Sequence, residues 1–342
     1  MPIFRRRPRV ICIGSASKDL FFPTEEGEIL ETPEDLTAQR KVVFELGGKY
    51  RVDDRYESVG GVAANVAWGL SRLNIAAAPY SRIGGDETGR WILSEFRRAG
   101  VRTDLLEVDR SVGTDVSAII VLTQNGERTI FHNRDANEGL VIEPKRLRGA
   151  EWIFVSALNG DWEDKLRVAA RSATENRSKL ALNPGQHNLR GNPALVLETV
   201  SKADMLLLNK DEALELVMKS GKDASADELN DERFLLSALL SAGAKTIGMT
   251  DGDRGAWAAD ATGFWHCPIG RVERVVDTTG AGDSFASAFF AAVAFHGLTV
   301  SDALRWGIAE SGSVVGSYGA TAGLLDTEEI RRRAEELRSE RL

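Results

Sequence analysis

Short apolar runs recur along this chain at the spacing of buried strands: Val10 to Gly14, Ser117 to Leu122, Trp152 to Ala157, Leu180 to Asn183, Met205 to Asn209 and Thr246 to Thr250. Between most of them lie stretches whose apolar residues fall three or four apart, DETGRWILSEFRRAG, WEDKLRVAARSATENR, KDEALELVMKS and DERFLLSALLSAGA. Each opens on acidic residues, which favour a helix start, and two of them reach a glycine stop. Strand alternating with helix leaves few topologies. It implies parallel βαβ units, so the expected fold is α/β, a doubly wound, mostly parallel sheet flanked by helices. A chain of 342 residues, 43% of them hydrophobic, can bury a sizeable core as one large domain or two ordinary ones.

Two stretches depart from this rhythm. Residues 39–58 (QRKVVFELGGKYRVDDRYES) and 113–134 (GTDVSAIIVLTQNGERTIFHNR) read as hairpins, the second turning at Asn125-Gly126. Both flank a helix start at Gly60-Gly61. They can be ordinary edge hairpins, or they can pair as a small second sheet that closes as a lid over a cleft at the strand C-termini.

Lys and Arg total 43 against 51 for Asp and Glu, a formal charge of -8, which argues against nucleic acid or an anionic membrane as main partner. The two cysteines, Cys12 and Cys267, suggest neither a disulfide framework nor a metal knuckle, and a reducing, cytoplasmic setting is expected. His132, His187, His266 and His296 are never paired at ligand spacing, so no zinc site is expected. The basic opening MPIFRRRPRV is followed by an apolar run broken at Gly14, unlike a secretory signal. No apolar stretch approaches the roughly 20 residues that span a bilayer.

The richest chemistry lies in VVDTTGAGDSFASAFFAAVAFHG, from Val275 to Gly297. A Gly-Ala-Gly turn feeds a helix apolar nearly all round, whose first amides lack partners within the helix. Gly280 and Gly282 let a phosphate approach those amides, and the macrodipole favours its charge. Asp283 in the first turn is either a capping carboxylate or a base that takes the proton of an attacking hydroxyl. A second glycine pair begins Gly60-Gly61-Val62-Ala63-Ala64-Asn65, where backbone can approach a ligand and Asn65 can both donate and accept. A plain strand-to-helix packing turn explains the same residues. Asp19 can accept from a polyol or cap a helix. Asn209 and Glu212, in NKDE, suit water-mediated Mg²⁺ and phosphate contacts or form a capping box.

The order of these pieces, Gly60-Gly61 with Asn65, then NKDE, then TDGDRGA at 250–256, then DTTGAGDSF, resembles the ribokinase-like (PfkB) carbohydrate kinase family over nearly the whole chain. The resemblance implies a single kinase domain over 1–342 with the two lid segments inserted, ATP as donor, Mg²⁺ and, in many members, K⁺. It implies Asp283 as catalytic base with Gly280, Ala281 and Gly282 as the anion hole, and Asp19, Gly61, Asn65 and Arg134 against the acceptor. The nucleotide falls to Asn209, Glu212, Thr250, Gly252, Gly255 and Gly319, with adenine near Ser311 to Gly319. Asp277 and Thr279, with the loop around 319–323, match a monovalent cation site. Arg134 is also readable as a surface arginine, and a cation there suits an acidic or phosphorylated acceptor.

The chain departs from ribokinase proper at Val62, where that enzyme has lysine, and at Ser17, where it has asparagine. GGVAAN is similar to the nucleoside kinases, whereas the Arg134 region resembles the fructose and keto-deoxy-sugar kinases, so the acceptor stays open between sugars and nucleosides. A non-catalytic ligand-binding regulator on this fold is the rival reading, and a dinucleotide oxidoreductase is disfavoured because the first strand runs into GSASKD rather than G-x-G-x-x-G. A homodimer through the exposed lid sheet is a further expectation.

Overall fold

The structure, a computed structural model, describes residues 8–32, 40–52, 54–124, 126–272 and 274–342. In chain order the strands are β1 (Val10–Ile13), β2 (Ser17–Thr24), β3 (Glu28–Glu31), β4 (Arg40–Val43), β5 (Tyr56–Gly60), β6 (Ala77–Tyr80), β7 (Arg82–Gly84), β8 (Glu107–Asp109), β9 (Val116–Leu122), β10 (Arg128–His132), β11 (Trp152–Val155), β12 (Lys179–Leu182), β13 (Met205–Asn209), β14 (Ile247–Thr250), β15 (Ala256–Asp260), β16 (Gly263–Cys267) and β17 (Glu340–Arg341). The larger sheet runs β17-β16-β15-β14-β13-β12-β11-β1-β6. It is parallel from β6 to β14, and β15, β16 and β17 extend it antiparallel.

The central strands are apolar throughout because helices cover both faces. Along β1, Val10 and Cys12 join one core cluster with the helices Val62–Arg72, Ala281–Ala294 and Val300–Val314, while Ile11 and Ile13 join the opposite cluster. That second cluster packs the helices Trp162–Asn176, Pro193–Val200, Lys210–Lys219 and Glu232–Ser241. The helices read from the sequence all form, at Glu87–Arg98, Trp162–Asn176, Lys210–Lys219 and Glu232–Ser241. Among the described residues no helix is long and apolar enough to cross a membrane.

A separate four-stranded sheet has the order β10-β9-β2-β5. Residues 113–134 supply the antiparallel pair β9 and β10 as expected, although Asn125 of the expected turn lies outside the described residues. The hairpin expected over 39–58 does not form. Gln39 is outside the described residues, β4 pairs with β3, and β5 pairs with β2 instead. The sequence reading missed β2, which joins β5 to β9. Its residue Pro23 lies beyond the register with β5, which ends at Phe21↔Tyr56, so the missing N–H falls where one side of the strand is unpaired. Asp19 therefore sits on a strand and caps no helix.

The C-terminal loop is fastened to this small sheet. Tyr318 stacks on Tyr56 at 4.3 Å, and the Ser58 and Thr321 hydroxyls are 3.1 Å apart. Behind the loop, Glu310 is fully buried, and both carboxyl oxygens lie 3.3 Å from the Leu325 amide. Burial pushes this acid up to about 8, with Arg72 and Arg333 opposing and Glu329 adding to the rise. A carboxyl whose pKa is raised on folding contributes stability below its usual 4.5, and that contribution is lost as pH climbs through about 8. Glu310→Gln removes the titration. Thermal melts across this range should show the wild type losing on the order of a few kcal/mol relative to the variant. Parallel pH dependences would refute it.

Candidate active site

The helix Ala281–Ala294 carries the site. Phe285, Phe289 and Phe290 are all but fully buried, and Phe290 meets Trp152 edge-on at 4.9 Å, so the helix is fixed against the large sheet. Its N-cap, Gly280, has φ 80 and no side-chain cap. A Cβ there would overlap that of Ala320, so only glycine fits, whereas a Cβ at Gly282 would meet nothing within 4 Å. The Ala281 amide donates to the Thr278 carbonyl at 3.3 Å, and Gly282 faces open space. An uncapped helix start with room in front of it suits an anion.

Asp283, in the first turn, accepts a 2.8 Å hydrogen bond from Asn65 Nδ2. Burial pushes its carboxyl up to about 6. Asp19 adds to the rise, while the Asn65 bond and the Arg128 charge oppose it. Asn65 Oδ1 is buried without a partner among the described residues. Asn65 is placed by the glycine pair. Gly61 starts the helix Val62–Arg72 at φ 93, and a Cβ on it would overlap the Ser15 backbone. A Cβ on Gly60 would strike the Asp19 carboxylate, so this packing turn also brings Asp19 alongside.

Asp19 is 7% exposed and accepts from Ser17 Oγ at 3.2 Å. Burial raises its pKa, against hydrogen bonds from Ser117 and Ser17 and the charge of Arg134. Arg134 is half-buried at the start of the short helix Asp135–Glu138, not laid out on the surface. Burial pulls its guanidinium down from its ordinary value, opposed by Asp115 and Asp19. Asp115 and Arg128 were not foreseen. Asp115 is fully buried, accepts from the amides of Ala136 (2.9 Å) and Asn137 (3.3 Å), and is pushed by burial up to about 6. Neither residue sits in a recognisable motif, and only the fold brings them here.

Asn209 and Glu212 form the capping box in full. Glu212 N donates to Asn209 Oδ1 at 2.8 Å, and Asn209 N donates to Glu212 Oε2 at 3.0 Å. They also line a cavity of about 210 Å³ with Asn183, Thr250, Gly282 and Asp283. Burial raises the Glu212 pKa, and Asp211 and Asp283 add to it. Carboxylate and amide oxygens of this kind are what a hard divalent cation takes, although no cluster of three or more such acidic, histidine or cysteine ligands occurs among the described residues.

Gly252 and Gly255 lie in the turn between β14 and β15, after Thr250. A larger cleft of about 810 Å³ opens between the segment after β16 and the helix Val300–Val314, along Ile308, Ala309, Gly312, Ser313 and Gly316. This is where the nucleotide base was expected. Asp277 is fully buried. One oxygen accepts from Thr279 N (2.9 Å) and Oγ1 (2.7 Å), the other from Gly319 N (3.0 Å). All three donors are neutral. Asp283 thus belongs to two groups: it bonds Asn65 and feels Asp19, which in turn feels Arg134, and it lines one cavity with Asn209, Glu212 and Thr250. Gly319 joins the Asp277 loop, apart from the Gly252 and Gly255 turn.

A family model described as pfkB family carbohydrate kinase matches residues 7–328. Aminoimidazole riboside kinase of Salmonella typhimurium is 29% identical over 283 residues, 77% of this chain and 81% of that protein. Among solved structures, Arabidopsis thaliana ribokinase complexed with ribose and ATP matches with TM-score 0.75 at 19% identity, over 96% of this chain and 99% of that one. Burkholderia thailandensis nucleoside kinase in complex with inosine matches with TM-score 0.73 at 18% identity, over 95% and 96% of the two chains. The solved structures share the ribokinase-like fold, and the sequence match spans that fold nearly end to end. The chain belongs to the pfkB family of carbohydrate kinases, and it is a kinase.

Proposed function

We propose that this kinase transfers the γ-phosphoryl group of ATP to a hydroxyl of a sugar or sugar derivative, ribosides included. Asp283 is the general base, and the amides at Gly280, Ala281 and Gly282 form the anion hole. The observation that carries this reading is the partly buried, Asn65-bonded Asp283 carboxylate in the first turn of a helix with an uncapped, open N-terminus. A riboside acceptor is favoured by the aminoimidazole riboside kinase relative and the inosine-bound neighbour.

The acceptor lies among Asp19, Gly61, Asn65 and Arg134, where the unpartnered Asn65 Oδ1 is free to accept from a hydroxyl. Asp283 takes that hydroxyl's proton as its oxygen bonds to phosphorus. Thr250, Gly252, Gly255 and Gly319 border the nucleotide, whose base enters the cleft along Gly312 and Ser313. Asn209 and Glu212 would hold Mg²⁺ through water, and the ion would supply charge neutralisation on the donor phosphates. Asp277, Thr279 and the loop 319–323 would hold a monovalent cation such as K⁺. The small sheet acts as a lid over one kinase unit, keeping out the water that would otherwise hydrolyse ATP. Its exposed Ile130 and Phe131 are a surface for homodimer formation. Two unpaired, buried cysteines accord with a cytoplasmic setting.

A coupled ADP-release assay over pentoses, hexoses, phosphorylated sugars, keto-deoxy-sugar acids and nucleosides tests the reading. ADP formation that depends on one acceptor class supports it, while nucleotide binding with no ADP from any acceptor would favour a non-catalytic binding protein. Asp19→Asn should raise the acceptor KM by about 10-fold or more, the scale of a hydrogen bond to a buried charge, and leave ATP affinity unchanged. An unchanged acceptor KM removes Asp19 from the acceptor site.

A further inference from the structure

We propose that Asp115 is a positioning residue that fits the acceptor pocket to uncharged sugars and ribosides and sets it against acceptors carrying a phosphate or a carboxylate. The inference rests on the phosphotransferase reading above and narrows its acceptor class. Asp115 is fully buried just ahead of β9, and it ties together the two elements that carry Asp19 and Arg134. Its main-chain carbonyl accepts from Lys18 N at 2.9 Å, beside Asp19 on β2. Its carboxylate accepts from the amides of Ala136 (2.9 Å) and Asn137 (3.3 Å), in the one-turn helix whose N-cap is Arg134. The far end of that turn is held as well. Lys165 Nζ donates to the Glu138 carbonyl at 2.7 Å, and Arg82 donates to that of Gly139. Arg134 is thus delivered to the pocket by a turn with a buried counter-charge at its root.

An arginine standing alone would favour an anion, since its fork matches phosphate and carboxylate oxygens. Arg134 does not stand alone, because it feels the charges of Asp115 and Asp19 together. Lys18, next to Asp19 in sequence, points to the opposite face of β2, where it pairs with Glu57 and lies 4.5 Å over the Trp91 ring. Its charge is engaged away from the pocket. His132 and Asp135, on either side of Arg134 in sequence, are both exposed. Two buried carboxylates against one half-buried guanidinium leave this wall net negative, and Asp283 adds a further negative charge at the reacting end. A phosphate or carboxylate brought here meets like charge where water screens poorly. Hydroxyls, by contrast, can donate to Asp19 and accept from Arg134.

The competing role for Asp115 is a brace that holds the turn and has no say in the acceptor. Pairs of acceptors that differ in charge separate the two roles: inosine against ribose 1-phosphate, and glucose against gluconate, each with its terminal hydroxyl free. Calorimetric binding to the full chain, and kcat/KM in the ADP-release assay, are read at pH 8, where Asp115, held up to about 6, is ionised. The wild type should favour the uncharged member by at least ~10-fold. Asp115→Asn should shift that ratio toward the anion by about 10-fold, the order of one charge acting across a partly solvated pocket. Asp115→Glu keeps the charge and should keep the wild-type ratio. Asp115→Ser, which keeps an oxygen for the Ala136 amide, replaces the asparagine variant if that one does not fold. A wild type that favours the anions or binds none of the four overturns the proposal, and so does a variant that loses both members of a pair equally. Discrimination in binding with no ADP released from any acceptor fails the phosphotransferase reading and leaves the charge selection standing.

Discussion

Asp283→Asn is expected to lower turnover by at least ~100-fold, the usual scale for removal of a general base, while nucleotide affinity stays near wild type. The amide keeps the shape of the carboxylate and can still accept from Asn65 Nδ2, which sits 2.8 Å from Asp283 Oδ2. What it cannot do is take a proton. The wild type should carry the same signature in its pH profile. Burial holds Asp283 up to about 6, so the base form is lost as pH falls through that value, and turnover should drop about tenfold per unit below it. The variant's residual rate should be flat across the same limb. A variant that turns over near the wild-type rate, or keeps the limb, would leave Asp283 as a helix-start carboxylate and move the base elsewhere, with Asp19 next in reach of the acceptor.

How much of this was readable in the sequence depended on what each residue does for the fold. The strands of the large sheet were legible because helices cover both faces, so Val10–Ile13 and Met205–Asn209 carry continuous apolar runs. The helix start at Gly280 was legible for the opposite reason. Its glycines answer a local backbone demand, and local demands are written in neighbouring residues. The strand β2 was hidden because its face toward the site carries Asp19 and its sequence, SKDLFFPT, includes a lysine and a proline. A buried carboxylate works against strand composition there. The pairing of β4 with β3 was hidden because composition marks a strand without naming its partner. Arg128, Asp115 and Arg134 were illegible or ambiguous as single residues. They gain meaning from Thr278, the Ala136 amide and Asp19, all distant in sequence or set by the turn of the small sheet.

Gly280→Ala tests the anion hole more severely than any polar substitution, because it adds one methyl group and no charge. The residue sits at φ 80, where a side chain is strained, and the new Cβ would overlap the Cβ of Ala320. Left-handed backbone costs about 1–2 kcal/mol for a residue with a Cβ, and overpacking adds roughly 1–3 kcal/mol, so the turn should shift rather than hold. A shift at the N-cap displaces the amides of the first helical turn, and loss of one such donor is worth about 10²–10³ in turnover. The expected result is a loss of turnover of that size with acceptor KM little changed, since Asp19 and Asn65 stand on other elements. Adding Ala320→Gly should recover little of the lost rate, because the new Cβ would still lie 2.5 Å from the Cα at position 320. Wild-type turnover in the single variant would mean that the turn yields without moving its amides, and the anion hole would then have to be sought away from this helix start.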